Sequence, residues 1–264
     1  MLGPNNIFVF LMAIMPVFLY SYLVFYMIPS GLICKSRAKM YFVAGLISPS
    51  LVYLFSFLFP TWNIPILTGS ILITYVMQAF IQVAFLEEGT KYLTFLWVYK
   101  NRKSSVSDLP IATVYYSLMS SAAFALYENI FYLMNFGNSI LFIRGITAVV
   151  MHMICGIIMG YFLSKINESK YCTISEKTIS GKFGEISNIK IKEMFKNINN
   201  VFYAILFSSL FHGIYDYNLF LPNNNYAMLN TFVILIFGLA VGNFMLREVI
   251  LKSIYLRKKD NKDI

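Results

Sequence analysis

The sequence predicts an all-α membrane protein, a polytopic bundle of about seven transmembrane helices. Of its 264 residues, 58% are hydrophobic and only 12% are charged, whereas soluble domains carry roughly 25% charged residues. The mean hydropathy is +0.67, and long apolar runs recur along the chain. This composition excludes an ordinary soluble protein, a disordered chain and a disulfide-rich secreted module. We expect residues 1–264 to form a single integral membrane domain.

Seven apolar runs are long enough, and poor enough in charge, to cross a hydrocarbon core of about 30 Å. The first lacks a basic flank and a small-residue cleavage site, so we expect a retained helix and not a signal peptide. The third would extend about 50 Å as a helix, so we expect part of it to tilt, to break or to run outside the bilayer. A break at Thr68, Gly69 and Ser70, on the outer side, would give eight spans. The seven runs cover residues 7–28, 40–60, 66–99, 109–134, 140–164, 200–220 and 227–251.

The segments between these runs alternate in charge. One set, at residues 1–6, 61–65, 135–139 and 222–226, contains no Lys or Arg. The other set carries nearly all the basic residues, including seven lysines from Lys165 to Lys196. The positive-inside rule therefore predicts an amino terminus outside and a carboxyl terminus in the cytoplasm. We interpret the polar stretch at about 166–199 as a cytoplasmic loop, and the net charge of +9 as a sign of topology, with no nucleic-acid partner.

Three cysteines stand far apart in the sequence, at Cys34, Cys155 and Cys172. Their odd number and scattered spacing argue against a disulfide framework. No C-x-x-C pair indicates a thiol zinc site. We therefore expect free thiols.

Ionisable residues interrupt four of the predicted spans. Such groups are costly in hydrocarbon and normally face the interior of a bundle, where they are paired and functional. Counting the helical rise from the cytoplasmic ends puts most of them at a similar depth, between the midplane and the outer leaflet. We therefore expect one site shared by four helices. The set comprises Glu87, Glu88, Lys91, Glu128, Arg144, His152, His212 and Asp216.

The local spacing of these residues favours a metal-assisted hydrolase. Lys91 follows Glu87 and Glu88 by four and three residues, so it shares a helix face with them. His212 and Asp216 are four residues apart and also share a face. Histidines and a carboxylate are the usual zinc ligands of hydrolases, and a separate carboxylate can act as general base. The sequence lacks H-E-x-x-H and G-x-S-x-G, so a zincin or a serine hydrolase is not indicated.

Four strings in this region resemble the motifs of the PrsW-type intramembrane proteases. Residues 87–91 match E-E-x-x-K, residues 124–132 match F-x-x-x-E-N-x-x-Y, residues 144–152 resemble the third motif, and residues 212–216 match H-x-x-x-[ND]. The resemblance implies a metallopeptidase related to the CAAX prenyl endopeptidases and to a scaffold subunit of γ-secretase. It also implies the first cut of an anti-sigma factor, under envelope or antimicrobial-peptide stress, in the bacterial plasma membrane.

We therefore expect a peptidase that cleaves a membrane-anchored protein substrate in the lipid bilayer. The expected catalytic residues are Glu87, Glu88, Lys91 and Asp216, with one of the two glutamates activating water and Lys91 orienting them. The expected ligands of a Zn²⁺ ion are Glu128, His152 and His212, which Asp216 could join. Without metal, the same groups would bind the oxyanion.

Two other functions stay open. One is a non-catalytic scaffold resembling the γ-secretase subunit, in which the histidines are structural. The other is a proton-coupled transporter that uses the Glu and His residues as a relay. The absence of an inverted sequence repeat disfavours the transporter.

Overall fold

A computed structural model describes residues 4–29, 31–59, 71–101, 109–136, 141–179, 186–221 and 225–260. Within these ranges the chain is almost entirely helical and forms no strand. The predicted all-α class is therefore confirmed. The helices are α1 (Pro4–Met27), α2 (Lys35–Leu58), α3 (Ile71–Val76), α4 (Leu86–Asn101), α5 (Pro110–Phe136), α6 (Leu141–Ile146), α7 (Ala148–Ile179), α8 (Ile186–Phe220) and α9 (Ala227–Asp260), and a π-helical segment (Met77–Phe85) joins α3 to α4.

Three helical stretches of the described chain are long and apolar enough to cross a membrane. They are Lys35–Leu58, Leu141–Ile166 and Ala227–Lys259. The apolar part of Leu141–Ile166 is 83% buried, against 28% for each of the other two. The stretch formed by α6 and α7 therefore lies at the centre of the bundle, while α2 and α9 lie at its periphery. The expected number of seven spans remains a prediction.

The centre of the bundle is the contact between α5 and α7, which small residues bring close together. A Cβ added to Gly156 would lie 2.9 Å from the Cα of Leu118, and one added to Gly160 would lie 2.6 Å from the Cα of Val114. The G-x-x-x-G pair of α7 thus allows the close helix packing that such motifs provide in membranes. Helices α1 and α2 pack on the other side of α5, and α8 packs on α7.

The third predicted span is one continuous helical rod in its described part, which begins at Ile71. Its expected break at Thr68, Gly69 and Ser70 lies outside the described residues. Within its described part, the rod changes to π-helical geometry over Met77–Phe85 and returns to α-helix at Leu86. Short π-helical segments are frequent at functional sites, and this one ends immediately before the two adjacent glutamates.

The polar stretch interpreted as a loop at 166–199 is helical wherever it is described. Helix α7 continues to Ile179, and α8 begins at Ile186. Lys, Glu and Ile are frequent in this stretch, and Lys and Glu are strong helix formers that need no apolar face to favour a helix. The stretch therefore has no apolar periodicity that would predict a helix, although its residues favour helix formation. The cytoplasmic placement of the stretch stays a prediction.

Candidate active site

The structure brings the seven expected site residues together from α4, α5, α7 and α8. Glu88, Lys91, His152 and His212 are at most 2% exposed, which means that they have essentially no contact with the surroundings of the bundle. Glu87 and Asp216 are 8% exposed, and the Glu128 side chain is 20% exposed. The direct contacts described below link all seven into one buried cluster.

Lys91 is the central cation of this cluster. Its Nζ donates a hydrogen bond to Glu88 Oε1 at 2.7 Å and lies 2.9 Å from His152 Nδ1. It also lies 4.0 Å from the centre of the Phe124 ring, within the range of a cation–π contact. Because an ammonium group can only donate, His152 Nδ1 must accept, and the proton of this imidazole is on Nε2.

The Nε2–H group of His152 donates a hydrogen bond to a carboxylate. Its Nε2 lies 2.7 Å from Glu128 Oε2, which also accepts a hydrogen bond from Arg144 Nη2 at 3.0 Å. The Arg144 guanidinium stacks 3.7 Å from the centre of the Tyr132 ring. Its Nε donates to Asn129 Oδ1 at 3.3 Å. Arg144 and Asn129 therefore hold the carboxylate that orients His152.

Asn129 is part of the F-x-x-x-E-N-x-x-Y motif, but the sequence alone indicated no role for it. It is fully buried, and its Nδ2 donates to the Ala13 carbonyl oxygen on α1 at 3.2 Å. The side-chain amide thus ties the first helix to the Arg144 and Glu128 pair. The only signal for this role in the sequence is a polar amide beside a glutamate within an apolar helix.

The His212 ring is turned the other way from the His152 ring, so that its Nδ1, and not its Nε2, donates to a carboxylate. Its Nδ1 lies 3.0 Å from Glu88 Oε1, and its Nε2 lies 3.2 Å from Asp216 Oδ2 and 3.8 Å from Glu87 Oε2. Glu88 is paired with the Lys91 ammonium group and so accepts the Nδ1 proton as a carboxylate. In the neutral form of His212, the lone pair is therefore on Nε2 and faces Glu87 and Asp216.

Two carboxylate oxygens around His212 Nε2 have no hydrogen-bond donor among the described residues. These atoms, Glu87 Oε2 and Asp216 Oδ2, are buried. Unsatisfied carboxylate oxygens are costly inside a protein unless a cation compensates them. Two negative oxygens next to an imidazole lone pair form a donor set that suits a divalent metal ion such as zinc.

In a histidine that binds a metal, one ring nitrogen donates to a carboxylate, which leaves the lone pair of the other nitrogen for the metal. His212 follows this pattern, with Glu88 as its carboxylate partner. His152 has Glu128 as its carboxylate partner, but its Nδ1 lone pair accepts the Lys91 hydrogen bond in this structure. Ligand atoms of Glu87, His152 and His212 all lie within 4.8 Å of one another. Glu128 and Asp216 are in neither group of described residues close enough to hold a metal.

The local sequence explains how the helices reach this arrangement. The spacings of three residues from Glu88 to Lys91 and four from His212 to Asp216 put each pair on one helix face. Gly213 lets α8 approach the π-helical segment, because a Cβ there would overlap the Phe80 ring. The rings of His152 and His212 then meet edge to face, with their centres 5.1 Å apart.

Comparison with known proteins agrees with the motifs. The family model described as "PrsW family intramembrane metalloprotease" matches residues 37–242. The protein named "Protease PrsW" from Oceanobacillus iheyensis is 30% identical over 165 residues, which cover 62% of this chain and 65% of the relative. The chain thus spans just under two thirds of that curated relative. No solved structure matches the chain. Since the family match covers most of the chain and all four motifs, the chain belongs to the PrsW family of intramembrane metalloproteases.

Proposed function

We propose that this chain hydrolyses a peptide bond of a membrane-anchored protein within the bilayer. The observation that carries the proposal is a pair of buried carboxylate oxygens, on Glu87 and Asp216, that accept no hydrogen bond among the described residues and lie around His212 Nε2 inside an apolar bundle. The nearest cation to Glu87 Oε2 in the described part of the chain is the Lys91 ammonium group, at 3.9 Å. Buried ionisable groups in a membrane protein are expensive and are normally retained for function. Family membership supports the same reaction class.

In this proposal His152, His212 and Asp216 would hold a divalent ion. Two imidazoles and one carboxylate match the ligand number of catalytic zinc sites, which keep a further position open. A bound zinc ion polarises a carbonyl oxygen and lowers the pKa of water. The proposal makes Asp216 a ligand, because its Oδ2 lies 3.2 Å from His212 Nε2, and makes Glu128 the outer partner of His152. It also requires His152 Nδ1 to exchange its Lys91 hydrogen bond for the ion.

Glu87 is the proton acceptor in this proposal, because its Oε2 has no hydrogen-bond donor among the described residues and lies 3.8 Å from His212 Nε2. A carboxylate placed there can take a proton from an attacking water and deliver it to the leaving amine. Glu88 lies behind His212, where it fixes the ring tautomer. Lys91 holds Glu88 in place, which makes both of them positioning residues.

The substrate and the cellular setting extend the proposal. We propose the first cut of a membrane-anchored anti-sigma factor as the reaction, in a bacterial plasma membrane, with the amino terminus outside. The resemblance of the motifs supports the substrate class. The absence of Lys and Arg from alternate connecting segments supports the orientation.

The experiment combines cleavage and metal content in one set of purified variants. We expect Glu87→Gln to abolish cleavage of a co-reconstituted membrane-anchored substrate while zinc stays bound. We expect His212→Ala and Asp216→Asn to lose both zinc and cleavage. Glu248→Gln is the matched control, since Glu248 accepts a hydrogen bond from Tyr161 on the α7–α9 contact, away from the cluster, and we expect it to keep both.

Each outcome of this experiment distinguishes one interpretation of the cluster from another. Loss of zinc from Glu87→Gln would make Glu87 a ligand and not the proton acceptor. Full cleavage by His212→Ala would refute the site. A protein that holds no metal and cleaves no anti-sigma substrate would support the scaffold alternative.

A further inference from the structure

Cys155 lies beside the histidine pair without taking part in the site described above. It is fully buried on α7, and its thiol is free. Its Sγ lies 3.5 Å from the Ser208 carbonyl oxygen on α8. A carboxylate oxygen of Glu88, the Cys155 sulfur and a ring nitrogen of His212 all lie within 4.8 Å of one another. A thiol, an imidazole and a carboxylate thus converge on one point.

Glu88 supplies an independent sign that this point suits a cation. Its Oε1 is occupied by Lys91 and His212. Its Oε2 has no hydrogen-bond partner in the described part of the chain. Because the residue is 0% exposed, solvent around the bundle does not reach this oxygen either. Thiolate and imidazole ligands together select zinc and other thiophilic ions over magnesium or calcium.

We propose that Glu88, Cys155 and His212 form a second metal position, which takes a thiophilic divalent ion such as Cd²⁺ or excess Zn²⁺. On binding, the Cys155 thiol releases its proton to solvent, and the thiolate coordinates the ion. The His212 ring proton moves from Nδ1 to Nε2, so that Nδ1 coordinates the ion. One proton leaves when the thiolate–metal bond forms, so the site gains a net charge of +1 for each divalent ion bound, next to the carboxylates of Glu87 and Glu88.

The second position competes with the first, because both need His212. A neutral imidazole has one nitrogen with a lone pair. When the lone pair is on Nδ1, Nε2 carries the proton and cannot serve the set of His152 and Asp216. Filling the second position therefore inhibits the peptidase. This inhibitory consequence rests on the proposed function, whereas the metal position itself does not.

The binding test uses Cd²⁺ alone on the purified full-length chain after chelation. The background variant Cys34→Ser/Cys172→Ser retains Cys155 as the single thiol. We expect it to show a thiolate-to-cadmium charge-transfer absorption that saturates at one ion per chain. Adding Cys155→Ser, or separately Cys155→Ala, should remove this absorption and weaken cadmium binding by more than the roughly 10–100-fold that loss of an outer partner costs. A background variant that shows no such absorption, or a cadmium affinity that both substitutions leave unchanged, overturns the proposal.

A cleavage assay then separates the existence of the second metal position from its inhibitory effect on the peptidase. In the background variant, we expect cadmium to inhibit cleavage and added zinc to relieve the inhibition at low zinc concentration. With Cys155→Ser, cleavage without cadmium should be unchanged and cadmium inhibition should weaken by the same factor as binding. Cadmium inhibition that is unaffected by Cys155→Ser overturns the competition. If no variant cleaves any substrate, the charge-transfer absorption still decides the metal position, and only the proposed function fails.

Discussion

Removing the Lys91 ammonium group is the most informative single perturbation of the cluster. Lys91 is 1% exposed and Glu88 is 0% exposed, and their charged atoms are 2.7 Å apart. The substitution Lys91→Met keeps the length of the side chain and removes its charge. It leaves the Glu88 carboxylate buried without its cation and His152 Nδ1 without its donor.

The magnitude follows from the burial of the pair. Breaking a buried ion pair by removing one partner costs about 3–5 kcal/mol, because the remaining charge is left uncompensated. For a chain of this size each kcal/mol corresponds to roughly 2–4 °C in the unfolding midpoint, so we expect a loss of about 6–20 °C. Removing both charges in Glu88→Gln/Lys91→Met should restore most of it, since His212 Nδ1 can still donate to the Gln oxygen.

The assay is thermal unfolding of the purified variants in one detergent, with cleavage measured in parallel. Lys100→Met is the matched control, because Lys100 lies on the same helix and is exposed, and we expect it to change stability by less than about 0.5 kcal/mol. The double variant should be stable but inactive. A Lys91→Met variant as stable as the control, or a double variant less stable than the single one, would refute the ion-pair reasoning.

Three further predictions address the outer partners, the packing and the topology. Glu128→Gln should keep the fold and weaken zinc binding by about 10–100-fold, because it removes the carboxylate that orients His152; unchanged affinity in a zinc competition titration would contradict that role. Gly160→Ala should destabilise the chain by about 1–3 kcal/mol in thermal unfolding, because its Cβ meets the α5 backbone, while Gly242→Ala, whose Cβ would be 3.7 Å from its nearest neighbour, should not. A membrane-impermeant maleimide should label the exposed Cys34 only after the cells are opened; labelling of intact cells would reverse the predicted orientation.

The parts of the site that lie on one helix could be predicted from the sequence. Helical geometry alone places Lys91 beside Glu88, and His212 beside Asp216, because residues three and four apart share a face. The cost of burying charge in hydrocarbon predicted that these pairs would meet. Both predictions required only a period of 3.6 residues and the location of the apolar runs.

The contacts between helices could not be predicted in the same way. The direction in which Glu128 points, toward His212 or toward Arg144, depends on how α6 folds back against α5. No sequence pattern in either helix predicts how far apart the two helices lie. The Asn129 bond to the Ala13 carbonyl depends on the position of α1 in the same way. Cys155 resembled an ordinary buried thiol in the sequence, because its neighbours Glu88 and His212 belong to other helices.

The π-helical segment just before the two glutamates is wound with i→i+5 hydrogen bonds, so it has more residues per turn than a regular α-helix. A single-residue deletion within Met77–Phe85 can be absorbed by a return to α-helical winding, with both flanking parts kept in phase. The same deletion between Glu88 and Lys91 has no such slack, and it would turn Lys91 by about 100° relative to the carboxylates before it. The helix that leads to the buried cluster therefore tolerates changes in chain length that the cluster itself does not.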